Sequence, residues 1–334
     1  MDRRAFVAGA AALILAPRAL AAAGKPVILV TADLESHLVA LDTVGSVVAR
    51  IPTLQFPRSV ETVGEVALVC HSERGAVSIV DSALRVRHLL HGFGEPRYTA
   101  AHPDGRHAYV TDAQRGDVAV VDVVAGRIVA RTTVGPLARH VTLDPAARTL
   151  WIALGSKAAE VAVVDVRERT RPKLVDRFRP PFLAHDVGFA PDGRRAWVSS
   201  GDRQELAVYD RARDRAPRIV DGGWPPQHVT FDRDRAYVTS GWSGRFDVHT
   251  LDGNLLRTTP VEVGSYNVQQ AGGVVVTPSL DRGNVTLLDA YGAVRWQRVV
   301  ARSCHDACLL AGSGAPLVRA RVGLVWSRHD REAQ

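Results

Sequence analysis

The feature that most constrains this chain is a repeated phrase. Its clearest copy is RYTAAHPDGRHAYVTDAQRGDVAVVDVVAGRIVARTTVG, residues 97–135. It reads as a short strand, a Pro103-Asp104-Gly105 turn, and a strand ending Tyr109-Val110-Thr111. A glycine turn, the strand Val118 to Asp122, another turn and a last valine-rich strand follow. Short runs of β-branched and apolar residues bounded by turn formers are strand grammar. Trp151-Ile152-Ala153, Trp197-Val198-Ser199 and Tyr237-Val238-Thr239 echo the second strand, and Val275-Val276-Thr277 and Leu29-Val30-Thr31 echo it more faintly. Asp122, Asp165 and Asp210 close the third strand, with Asp42, Asp81 and Asp289 at the matching places. These aspartates are expected to cap the following turn through its backbone. A period of about 40–46 residues with four strands per unit is that of propeller blades.

Six inner-strand starts can be counted: Arg58, Arg97, Arg139, His185, Gln227 and Tyr266. The segment VILVTAD near the N-terminus matches a second strand and lacks a first. CHDACLL, residues 304–310, is a first strand without a second. The expected fold is therefore all-β, a seven-bladed β-propeller of four-stranded blades. The C-terminal segment supplies the inner strand of the N-terminal blade and closes the ring, which removes two exposed sheet edges. The expected organisation is a signal peptide over 1–23, the propeller over 24–312, and an extension over 313–334 that adds a strand or packs across an end.

Arg3-Arg4 and Phe6 precede the apolar run Ala8–Ala16, and Ala19-Leu20-Ala21 supplies a small-x-small cleavage site. The run is too short to span a bilayer and reads as a signal peptide. The paired arginines resemble a twin-arginine export signal; an ordinary Sec signal with two adjacent arginines is the other reading. Either way an exported chain is expected: periplasmic, secreted or associated with the cell envelope. The formal charge of +7 falls to about +5 once Asp2, Arg3, Arg4 and Arg18 are removed, a spread-out excess that does not point to nucleic acid. With Cys70, Cys304 and Cys308 alone, this is not a disulfide scaffold. A monomer is expected.

The Tyr-Val-Thr and Pro-Asp-Gly phrases and their echoes resemble the YVTN-repeat, lactonase-like family of seven-bladed propellers over nearly the whole mature chain. The resemblance implies the fold, and it implies a surface-layer, cell-envelope or lactone-hydrolysing role. Function has to be argued from the site.

Stacking the inner strands by register gives that site. The first position reads Arg58, Arg97, Arg139, His185, Gln227, Tyr266 and His305; the second reads Ser59, Tyr98, His140, Asp186, His228, Asn267 and Asp306. The third is nearly all apolar, and the fourth includes Glu61 and Cys308. Strand side chains alternate, so the second and fourth positions are expected to face the central channel and the third to pack between blades. His140, Asp186 and His228 are the candidate ligands for a divalent metal, the one cofactor this donor set suggests. Glu61 or Asp306 would then be a general base. Arg58, Arg97 and Arg139, with Tyr98, His185, Asn267 and His305, form a rim suited to a small polar or anionic ligand. The bland reading stands beside each of these: channels are commonly wet, and their polar groups pair with one another. Walker, dinucleotide, HExxH, GxSxG and CxxCH motifs are absent. The expected function is an exported propeller that binds a small polar or anionic ligand, or a partner, at one channel end. The alternatives are a metal-assisted lactonase or esterase and a cell-envelope interaction scaffold.

Overall fold

The computed structural model describes residues 26–212 and 216–311, so the expected signal peptide and the 313–334 extension lie outside the described residues. Seven four-stranded antiparallel sheets form a ring. Blade one consists of Ala307–Leu310, Val27–Ala32, His37–Leu41 and Val47–Pro52. The inner strands of blades two to seven are Pro57–Val63, Pro96–Ala101, Ala138–Leu143, Ala184–Phe189, Val229–Phe231 and Gln269–Ala271. The closure is as expected: Val27 pairs with Leu310, Leu29 with Cys308 and Val30 with Ala307. Among the described residues the helical elements are the 3-10 turns Ser72–Arg74 and Gly241–Ser243, and no helix is long and apolar enough to cross a membrane.

The core is divided into seven apolar clusters, one at each interface between neighbouring blades. This arrangement corrects the expected alternation. Blades stand face to face, so both faces of a strand pack against a neighbour: Leu29 joins the cluster with blade two and Ile28 the cluster with blade seven. Second and third strands such as His107–Asp112 and Asp117–Asp122 are buried along their whole length. Only the edge of the inner strand meets the channel. Accordingly the third-position residues Val60, Thr99, Val141, Val187 and Val229 line the channel too. Cys308 packs between blades one and two, while Cys304 packs between blades seven and one. Both are free thiols, and burial pushes that of Cys304 up to about 12.

The repeated phrase has a physical reason. In blades three, five and six the hydroxyl that ends it crosses to the next blade and donates to the carbonyl of the first register position there. Thr111 Oγ1 reaches the Arg139 carbonyl at 2.5 Å, Ser199 Oγ that of Gln227 at 2.7 Å, and Thr239 Oγ1 that of Tyr266 at 2.5 Å. Blade four has Ala153 at this place and cannot make the bond. Its following loop instead bridges to blade five, with Ala158 and Ala184 exchanging backbone hydrogen bonds of 2.7 and 2.8 Å. The third-strand aspartates cap their turns: Asp122 Oδ1 accepts from the amides of Val124 and Ala125, and Asp42, Asp81, Asp165, Asp210 and Asp289 do likewise. Gly105 and Gly193 adopt φ of +68°, which the Pro-Asp-Gly turn requires and a side chain would resist.

Candidate metal centre

The inner strands carry a one-residue β-bulge at the first two register positions. In blade four Ala138 pairs with Leu154 but Val141 with Ile152; in blade five Ala184 pairs with Ser200 but Val187 with Val198. Blades two and three show the same shift. In blade six Gln227 and His228 share one partner: the Gln227 amide donates to the Thr239 carbonyl at 2.7 Å, and the Thr239 amide to the His228 carbonyl at 3.1 Å. A bulge suspends strict alternation and re-aims side chains. Residues from the first and second positions can therefore meet.

They meet at three histidines on adjacent blades. The ring of His140 lies 4.6 Å from that of His185 and 4.7 Å from that of His228, centroid to centroid, and His185 lies 5.5 Å from His228. One nitrogen from each of the three falls within 4.8 Å of the others. His185 leans back over blade four, with its Nδ1 2.9 Å from the Ser156 carbonyl. Nδ1 must donate there, which leaves Nε2 with a free lone pair. His228 Nδ1 lies 3.4 Å from Asp186 Oδ2. His140 is 1% exposed, and neither of its ring nitrogens has a hydrogen-bond partner among the described residues. Burial, followed by His185, His228 and the arginines, pushes its pKa well below the usual range. Burial, followed by His228 and Arg139, pushes His185 down to about 3. Both rings are therefore neutral at physiological pH, which is the form that binds metal.

Four of the other second-position residues are occupied as straps between blades. Ser59 Oγ donates to the Arg97 carbonyl at 2.5 Å, and Asn267 Nδ2 to that of His305 at 2.6 Å. Asp186 accepts from the Val187 amide at 2.8 Å and the Val229 amide at 3.0 Å. Asp306 accepts from Ala307 at 2.9 Å and Val60 at 3.0 Å, and burial pushes its pKa well above the usual carboxylate range. Asp186 thus stands behind His228 rather than among the three clustered rings. The His305 Nδ1 donates to the Arg58 carbonyl at 2.7 Å. Tyr98 packs on the cluster, 4.2 Å from His140 and 5.5 Å from His228.

On the rim, Arg58 pairs with Asp33 at 3.1 Å and Arg97 with Glu95 at 2.7 Å. Arg139 has neither an ion pair nor a hydrogen bond among the described residues; its guanidinium carbon lies 5.7 Å from the centre of the Tyr98 ring, and its Nε is buried without a partner. Burial pulls its pKa down to about 10, so it stays charged at neutral pH. On the other side of the histidines a cavity of about 430 Å³ runs down the channel past Glu61, Thr142, Thr230 and Gln269 towards Pro145 and Pro191. Glu61 accepts from Gln269 Nε2 at 3.1 Å, and burial pushes its carboxyl up to about 7.

That shift has a measurable consequence. Its folded pKa lies above its unfolded value, so its stabilising contribution is complete below about pH 4.5 and is lost as pH rises through about 7. Glu61→Gln is expected to be more stable than wild type at pH 8, by up to about 3 kcal/mol, with no advantage at pH 4.5. Urea unfolding at the two pH values measures this. An equal difference at both would show that Glu61 is not desolvated.

No protein-family model matches the chain, and no curated protein matches it. Solved structures do. The apo form of AztD from Citrobacter koseri is 11% identical with a TM-score of 0.65, covering 87% of this chain and 99% of that one. A second Citrobacter koseri AztD structure is 12% identical with a TM-score of 0.64 over the same shares, 87% and 99%. The hydrazine synthase of Kuenenia stuttgartiensis is 18% identical with a TM-score of 0.60, covering 70% of this chain and 76% of that one. At these identities the likeness is one of fold: the chain is a seven-bladed β-propeller.

Proposed function

We propose that this propeller is an exported metal-binding protein, holding one divalent transition-metal ion on His140, His185 and His228 at the channel mouth. The observation that carries the reading is His140, a fully buried imidazole with two unsatisfied nitrogens. Leaving such a group unpaired costs about 1–3 kcal/mol, and an ion recovers that loss. The donor set supports zinc or a neighbouring first-row metal: three imidazoles with room for a further ligand. Ser156 and Asp186 would orient two of the rings from behind, as carbonyls and carboxylates do at metal sites. Donors on a bound zinc lie roughly 3.3 Å apart, given bond lengths of 2.0–2.1 Å, so the rings would close inward on loading. The N-terminal sequence supports export.

Zinc titration of metal-free protein is expected to show one tight equivalent. At a free-ion level 100 times Kd, stability should rise by about 2.7 kcal/mol. A binding curve with no saturable site, together with an unchanged melting temperature, contradicts the reading.

The resemblance to lactonase-like propellers supports a second reading, metal-assisted hydrolysis of a lactone or related ester. The specific observation in its favour is Glu61, a cavity carboxyl with a pKa of about 7, the range suited to a general base. Lactone turnover by wild type and its loss in Glu61→Gln would test it. Asp306 is less suited to that role, because both of its oxygens accept backbone amides.

A further inference from the structure

Three imidazoles bring no negative charge to a divalent ion. Asp186 stands behind His228, 3.4 Å from its Nδ1, and both Asp186 and Asp306 accept two backbone amides, so neither is among the donors that meet at the three rings. The rim above adds positive charge. Arg58 and Arg97 are paired with Asp33 and Glu95, but Arg139, the residue preceding His140, makes no ion pair among the described residues. Its guanidinium lies over Tyr98, whose ring contacts both His140 and His228. An ion placed on the histidines would share a poorly solvated mouth with an unpaired guanidinium. Two positive centres so close together are costly unless an anion joins them.

We propose that the ion is bound together with a carboxylate, which fills the remaining coordination place with one oxygen and accepts from the Arg139 guanidinium with the other. This rests on the metal reading above and adds the chemical class of the ligand: a small organic acid. A carboxylate is planar and matches the guanidinium fork, which also has its own unpartnered Nε to offer. Arg139 is then the residue that selects the ligand, and its charge acts in opposite directions with and without it. Alone, it repels the metal; with the carboxylate, it recruits it.

The test is zinc affinity by competition with a chromophoric chelator, in HEPES and sodium chloride of fixed ionic strength, with acetate replacing chloride in a second series and phosphate in a third. For wild type, acetate is expected to tighten zinc binding by tenfold or more, and phosphate to tighten it less. Arg139→Gln is expected to bind zinc more tightly than wild type in chloride and to lose the acetate effect. Arg139→Lys, which keeps the charge without the fork, should retain only part of it. Melting curves confirm that each variant is folded, and among the described residues Arg139 makes no hydrogen bond whose loss would unfold it. Zinc binding that is indifferent to acetate overturns this inference and leaves the metal site standing. So does an acetate effect that survives in Arg139→Gln, or one smaller than that of phosphate. Absence of any zinc binding overturns both.

Discussion

His140→Leu is expected to abolish tight metal binding while making the metal-free protein more stable than wild type. The two effects have one cause. His140 presents two polar nitrogens to a site where neither finds a partner. Leucine has similar bulk and nothing to leave unsatisfied, so metal-free stability should rise by about 1–3 kcal/mol. Metal affinity should fall by roughly 100- to 1,000-fold, since a four-ligand zinc site is worth about 10–16 kcal/mol and one donor a share of that. Gain of stability with loss of binding is the mark of a residue kept for a task. Chemical denaturation and zinc titration on the same preparations measure both. A variant less stable than wild type, with zinc binding retained, would show His140 to be an ordinary core residue.

Removing residues 301–334 is expected to prevent folding, and a synthetic peptide of residues 301–311 is expected to restore it in trans. The strand Ala307–Leu310 is the inner edge of blade one, and its pairing with Val27–Ala32 is the sheet that joins the chain's two ends. Without it Ile28, Leu29 and Leu38 lose cover on one side, and Val60 loses both the packing of Cys308 and the Asp306 oxygen that its amide bonds. Core losses of about 2–5 kcal/mol per large side chain add quickly against a total stability of about 5–15 kcal/mol. Far-ultraviolet circular dichroism and a melting transition recovered on peptide addition would measure the rescue. A truncated chain that melts cooperatively near the wild-type temperature would contradict the closure.

The repeat made the fold legible down to its closure. Tyr109-Val110-Thr111 and its echoes in blades five and six recur because a hydroxyl at that place holds the next blade, and a repeated bond leaves a repeated residue. The histidines were visible in the same stacking, but their grouping was not. His185 is at the first register position and His140 and His228 at the second, so alternation separates them. The bulge that unites them is a backbone event. Its trace in the sequence is a pair of polar residues at each strand start, such as His185-Asp186 and Gln227-His228, where a regular strand would alternate. Nor does spacing show which channel groups are already occupied. Asp186 and Asp306 have ligand chemistry, and only the amides of Val229 and Val60 beside them show that they serve as straps. Arg58, Arg97 and Arg139 look alike in sequence; Asp33 and Glu95 set two of them apart from the third.

Diffraction from zinc-loaded crystals, collected above and below the zinc absorption edge, tests the central claim most directly. The account predicts one dominant anomalous peak at the channel mouth, about 2.0–2.1 Å from one nitrogen each of His140, His185 and His228. A mouth without anomalous density, or a dominant peak elsewhere on the propeller, would contradict it.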